Sequence, residues 1–241
     1  HTAPSPSPTQ AEQAPTPGAT QQIPPIASSG LAEGIGFTLP PTLRHTASHD
    51  LSVFFEMDRL SAGYLLIDDR VGSQRRIPLD SGQVRHIITV DGLEQGGEYA
   101  ISIVVEGADA SYREPYYPVP GQGWGPLTVH TPSGQGPLRI GVLGDAGFGD
   151  ATTYGLVEAM AQERLDWVFH TGDVVYQAYN NSGVAEAYIE KWFLPFAPLL
   201  KQAPVYTVPG NHDYDDAVRW SDGYYYYYAL PAPFLSADAR G

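Results

Sequence analysis

Leu138-Arg139-Ile140-Gly141-Val142-Leu143-Gly144-Asp145-Ala146-Gly147 decides the fold. A continuous apolar run, of the kind found in a buried parallel strand, is stopped by a Gly-Asp turn. Two later stretches repeat the pattern. Asp166-Trp167-Val168-Phe169-His170 leads into Gly172-Asp173-Val174-Val175-Tyr176, and Pro204-Val205-Tyr206-Thr207-Val208 leads into Gly210-Asn211-His212-Asp213. Asp150 to Arg164 reads as a helix with Leu156, Val157, Met160 and Ala161 on one face. Val184 to Leu200 reads as a second, which Pro195 and Pro198 are expected to break towards its end. Strand–helix–strand–helix–strand implies a parallel α/β sheet with right-handed crossovers.

All three motifs then fall at the carboxyl edge of that sheet, where open α/β folds bind ligands. The spacings from Asp145 to Asp173 and from Asp173 to Asn211 each leave room for one crossover helix. Neighbouring strands therefore bring Asp145, Asp173 and Asn211 together, and the glycine before each permits the tight turn that aims a short side chain into a shared pocket. Carboxylate, phenolate, amide oxygen and imidazole suit hard or borderline ions such as iron, manganese, magnesium or zinc. Asp173 has two oxygens with which to bridge a pair of ions, and such a pair stabilises the attacking and leaving oxygens of a displacement at phosphorus. His212 is placed to bind a phosphoryl oxygen or to protonate the leaving alcohol. Each motif alone is a common turn; three in order, each at a strand end, favour a shared site over three unrelated turns.

Composition bounds the alternatives. The chain has 241 residues, 42% hydrophobic and 17% charged, enough for a sizeable core. With 13 Lys and Arg against 27 Asp and Glu, the formal charge is −14, which argues against non-specific nucleic-acid binding. Absence of cysteine excludes disulfides, iron–sulfur clusters, thiolate zinc sites and cysteine nucleophiles. No apolar run approaches the ~20 residues of a membrane-spanning helix.

Residues 1–30, rich in Pro, Thr, Ser, Gln and Ala, read as a disordered tether of an exported or surface-anchored, extracytoplasmic bacterial protein; a cloning remnant or interdomain linker is the plain alternative. From 36 to 132 the signals are β. Leu51 to Phe55, Tyr64 to Ile67, Arg85 to Val90 and Tyr99 to Val105 are short strand candidates between Gly and Asp turns. Leu93-Glu94-Gln95-Gly96-Gly97-Glu98-Tyr99 suggests a tyrosine corner. Together they predict a small antiparallel β-sandwich, which resembles a fibronectin type III domain, ahead of an α/β region over 138–241.

The three motifs resemble the first three blocks of the calcineurin-like metallophosphoesterases, and specifically the purple acid phosphatase branch. Many relatives place a histidine two residues after the first aspartate, where this chain has Gly147; the second block here ends instead in Tyr176. The resemblance implies that Asp145 and Tyr176 hold a ferric ion, that Asp173 bridges, and that Asn211 holds a second divalent metal, giving Fe plus Fe, Zn or Mn. It implies that His212 assists at the transition state, and that the substrate is a small phosphate monoester. A fibronectin-like domain ahead of the catalytic one fits the same branch.

The family's fourth and fifth histidine blocks have no counterpart here, since no histidine follows His212. The expectation is a front portion of a longer parent chain, or one whose C-terminal half is a separate chain, was cleaved, or is missing from the record. For the chain as it stands, weak or partial metal binding and little turnover follow. Rivals are a phosphodiesterase or nucleotidase on the same scaffold, and a non-catalytic surface protein whose β domain is a binding module. His170 reads as a hydrogen-bonded strand-end histidine or as a support to the metal ligands, while histidines 1, 45, 49, 86 and 130 receive no ligand role. Tyr224 to Tyr228 reads as a strand with alternate tyrosines inward, or as a substrate-facing wall. Asp213, Asp215 and Asp216 read as loop and turn residues, with Asp213 a candidate to orient His212. Asn180-Asn181-Ser182 fits a glycosylation acceptor only in a eukaryotic secretory host.

Overall fold

The computed structural model describes residues 37–106, 126–176 and 187–213. The expected tether over 1–30, the Tyr224–Tyr228 run, Asp215, Asp216 and Asn180 to Ser182 lie outside the described residues.

Seven strands come first: β1 (Phe37–Thr46), β2 (Leu51–Met57), β3 (Ala62–Asp68), β4 (Gln74–Pro78), β5 (Arg85–Val90), β6 (Glu98–Glu106) and β7 (Leu127–His130). They form two antiparallel sheets, ordered β1-β2-β5 and β4-β3-β6-β7. Phe55, Leu65, Ile67, Ile101, Ile103 and Val129 are buried in the core, and each such side chain contributes roughly 1.5–3 kcal/mol by leaving water. Tyr99 opens β6, and its hydroxyl accepts the Glu94 N–H at 2.7 Å, the tyrosine corner expected from the sequence.

The α/β region follows with β8 (Ile140–Leu143), α1 (Ala151–Ala161), β9 (Trp167–His170), α2 (Leu194–Leu200) and β10 (Val205–Thr207). The strands are parallel in the order β10-β9-β8. Asp150 caps α1, its side chain accepting the Thr153 N–H at 2.9 Å. Val157 on α1 and Trp192 and Phe196 at α2 are buried. The opposite sheet face exposes Ile140, Val142 and Phe169, so the described residues cover β8 on one side, where its apolar run suggested burial.

Pro195 and Pro198 do not end the second helix as expected. A wide turn over Ile189–Phe193 precedes them, in which the Leu194 N–H reaches back to the Ile189 oxygen. Pro195 thus falls in the first turn of α2, where no N–H is required. Pro198 forgoes one ladder bond, and burial of Phe196, Leu199 and Leu200 carries the helix through.

The sandwich meets the α/β region at the start of the parallel strands. Trp167 Nε1–H donates to the Thr46 oxygen at 3.2 Å. Asp166 takes His130 Nε2 on Oδ1 at 3.1 Å and the Arg139 N–H on Oδ2 at 2.7 Å. His45 Nδ1 and the Tyr206 hydroxyl lie 3.1 Å apart, and Arg164 pairs with Glu98. Buried residues of both regions join one cluster. With Asp166 and Trp167 anchored at the amino end of β9, the motif loops leave from the other end.

Candidate metal centre

Each motif loop begins where its strand ladder stops. Asp145 follows β8, and its N–H donates to the Gly172 oxygen at 3.2 Å, joining the first two loops. Gly172 adopts φ 113°, open only to glycine, and a β-carbon there would stand 2.8 Å from the Gly210 backbone. The loops are therefore in backbone contact.

Asp145 and Asp173 both occupy the left-handed region, with φ 53° and 56°. Holding a non-glycine residue there costs on the order of 1–3 kcal/mol, a strain that clusters at functional sites. The twist turns both aspartates out of the line of their strands. Tyr176 Oη–H donates to Asp145 Oδ1 at 2.9 Å. Asp173 is buried, and its Oδ1 accepts the His212 N–H at 2.9 Å. The His212 ring meets the Tyr176 ring edge-on, with centroids 4.4 Å apart. On its other side Tyr176 stacks on exposed Phe148 at 4.3 Å. Asn211 is exposed at the head of the short helical turn Asn211–Asp213. Asp145, Asp173, Tyr176 and His212 thus share one neighbourhood, and Asn211 reaches it through the backbone of His212.

Carboxylates surround the Tyr176 hydroxyl, while Lys191 Nζ donates to the Tyr176 backbone oxygen. Desolvation, the hydrogen bond to Asp145 and the charges of Asp145, Asp173 and Asp213 push the Tyr176 phenol up to about 12. Among the described residues, no group of three or more His, Asp or Glu side chains converges to hold a metal. The donors that do converge are two carboxylates and a phenol, all hard oxygen ligands. A cation that displaces the phenol proton would take these oxygens together, so the set fits part of a metal shell.

Asp213 departs from its reading as a turn residue, and His170 takes the hydrogen-bonded strand-end place the sequence offered it. Asp213, read as a loop residue, is buried; its carboxylate accepts the N–H groups of Val174, Val175 and Gly210, and it does not touch the His212 ring. Burial pushes its carboxyl above the usual range, against those bonds. An aspartate closing a polar loop carries no sequence signal for burial, because its partners are backbone amides. His170 is also buried, and its Nδ1 accepts the Gly172 N–H at 3.3 Å, which assigns the proton to Nε2. Burial lowers it to about 4, with Asp145 opposing. Its ring packs edge-on against Trp192, so it supports the second loop from below.

Solved structures similar to the chain include the fibronectin type III domain of the human collagen alpha-1(XX) chain, 18% identical over 46% of this chain and 96% of that one, with a TM-score of 0.32. A two-domain fibronectin type III segment from chicken tenascin is 17% identical over 43% of this chain and 50% of that one, TM-score 0.26. A computationally redesigned β-sandwich protein is 15% identical over 40% and 94%, TM-score 0.29. No curated protein matches the chain. The α/β region, over residues 138–238, matches the calcineurin-like phosphoesterase family, whose members carry out metal-dependent phosphoester hydrolysis, and every motif described above lies inside that match.

Proposed function

We propose that the protein hydrolyses small phosphate monoesters at a dinuclear metal centre of the purple acid phosphatase kind. The observation that carries this reading is the Tyr176 hydroxyl held 2.9 Å from Asp145 Oδ1, a phenol set against a carboxylate that a metal could share. Asp145 and Tyr176 would hold iron, Asp173 would bridge, and Asn211 would hold a second ion, Fe, Zn or Mn. When bound, such a pair lowers the pKa of a coordinated water toward neutrality and neutralises phosphoryl charge. Asp173 Oδ1 accepts the His212 N–H. That bond fixes the backbone of His212 beside the carboxylate, and packing against Tyr176 holds its ring at the rim. From there His212 binds a phosphoryl oxygen or delivers a proton to the leaving alcohol.

The acidic composition fits a protein that does not seek nucleic acid, and the low-complexity first 30 residues fit a tether on an exported protein. Among the described residues no helix is long and apolar enough to cross a membrane. The test is hydrolysis of a generic aryl phosphate by the natural protein carrying these residues, alongside a diester. Monoester turnover that Asp173→Asn abolishes without unfolding supports the reading. Undiminished turnover in that variant refutes the site, and faster diester cleavage reassigns the substrate to the phosphodiester class.

A further inference from the structure

Asp213 is 1% exposed, whereas Asn211 and His212 beside it face solvent. Its Oδ1 accepts the Val174 N–H at 3.0 Å and the Val175 N–H at 3.2 Å. Its Oδ2 accepts the Gly210 N–H at 2.8 Å and shares that of Val174 at 3.1 Å. The donors come from two different loops. β9 stops at His170 and β10 at Thr207, and the last bond of their ladder runs from the Val208 N–H to the His170 oxygen at 3.1 Å. Beyond that point the second and third loops are joined through side chains: Asp213 reaches from the third loop to Val174 and Val175, and Asp173 returns a bond to the His212 N–H.

We propose that Asp213 is a positioning residue, a clasp that fixes Asp173 against Asn211 and His212 before any ion arrives. The chemistry requires a carboxylate. Two acceptor oxygens are needed because the amides of Val175 and Gly210 approach different oxygens of the group. An amide of the same size offers one acceptor, and its NH2 would face an N–H donor. The clasp's purpose rests on the phosphoesterase reading; its existence does not.

The test uses the 15N-labelled 241-residue chain, with hydrogen exchange followed at Val174, Val175 and Gly210 and with Val168, in the β9–β10 ladder, as reference. In the wild type the three amides exchange slowly and together. Asp213→Ala accelerates all three by at least about tenfold while Val168 is unchanged. Asp213→Asn, which keeps the volume, leaves one loop protected and releases the other. Wild-type exchange at Val175 and Gly210 in the alanine variant overturns the clasp. Calorimetric titration with Mn2+ alone reads its purpose: affinity falls at least about tenfold in both variants and stays unchanged in Glu98→Gln, a surface change in the sandwich. Released amides with unaltered Mn2+ affinity overturn the positioning role. A wild-type chain that binds no Mn2+ counts against the phosphoesterase reading, and the exchange rates still decide the clasp.

Discussion

A β-carbon at Gly147 would stand 2.7 Å from the amide nitrogen of Tyr176 and 2.9 Å from its ring. The bare position in the first loop and the tyrosine that closes the second are one arrangement. The Tyr176 N–H donates to the Gly147 oxygen at 2.9 Å, so the two loops touch where a side chain would begin. A side chain at 147 and this placement of Tyr176 therefore exclude each other.

Gly147→Ala is therefore expected to displace the second loop. Overpacking at such a contact costs about 1–3 kcal/mol, visible as a lower melting temperature. Mn2+ affinity should fall with it. Wild-type stability and affinity together would show that the contact yields freely.

Tyr176→Phe removes the hydroxyl that Asp145 accepts. In the metal-free chain the difference titration, wild type minus variant, should show a phenol ionising near pH 12 instead of the usual ~10, because desolvation, the bond to Asp145 and the nearby carboxylates disfavour phenolate. Adding a hard cation should move that component to lower pH. A component at the ordinary value would mean that the tyrosine stands apart from Asp145.

His170 makes stability depend on acidity. Its folded value of about 4 lies below the ~6.5 of an unfolded histidine, so the unfolded chain binds the proton more readily between those values. Stability from this group is complete above about pH 6.5 and drains away as pH falls towards 4, amounting to about 3 kcal/mol. His86, lowered by burial, acts in the same sense. Urea unfolding at pH 7, 5.5 and 4 should show a flatter profile in His170→Phe, at lower overall stability because the Gly172 N–H loses its acceptor. Parallel profiles would refute the assignment.

Asp166→Ala should separate mounting from chemistry. It strips an acceptor from His130 and from the Arg139 N–H, with an expected loss of about 1–3 kcal/mol. Cation affinity should not change, since these bonds lie at the far end of β9 from the motifs.

The parallel strands and their motif loops were legible because apolar runs and Gly-Asp punctuation coincide. β1, β4 and β7 were not. β1 contains Pro40 and Pro41, which break the alternation, and its register with β2 shifts between Leu39 and Thr42 around them. β4 is a polar edge strand with Arg75 and Arg76, and β7 has four residues. Around the site, the ligand candidates announced themselves by residue type. His170 reads from the sequence as a hydrogen-bonded strand-end histidine, whereas nothing marks Asp213 for burial, because its partners are backbone N–H groups, which every sequence supplies.

Asparagine tolerates the left-handed backbone at least as well as aspartate does. Asp145 and Asp173 both sit there, so their replacement by asparagine keeps the turn and removes a charge from a crowded acidic pocket. Aspartate at both positions thus supplies an anionic oxygen where asparagine would serve the turn equally well.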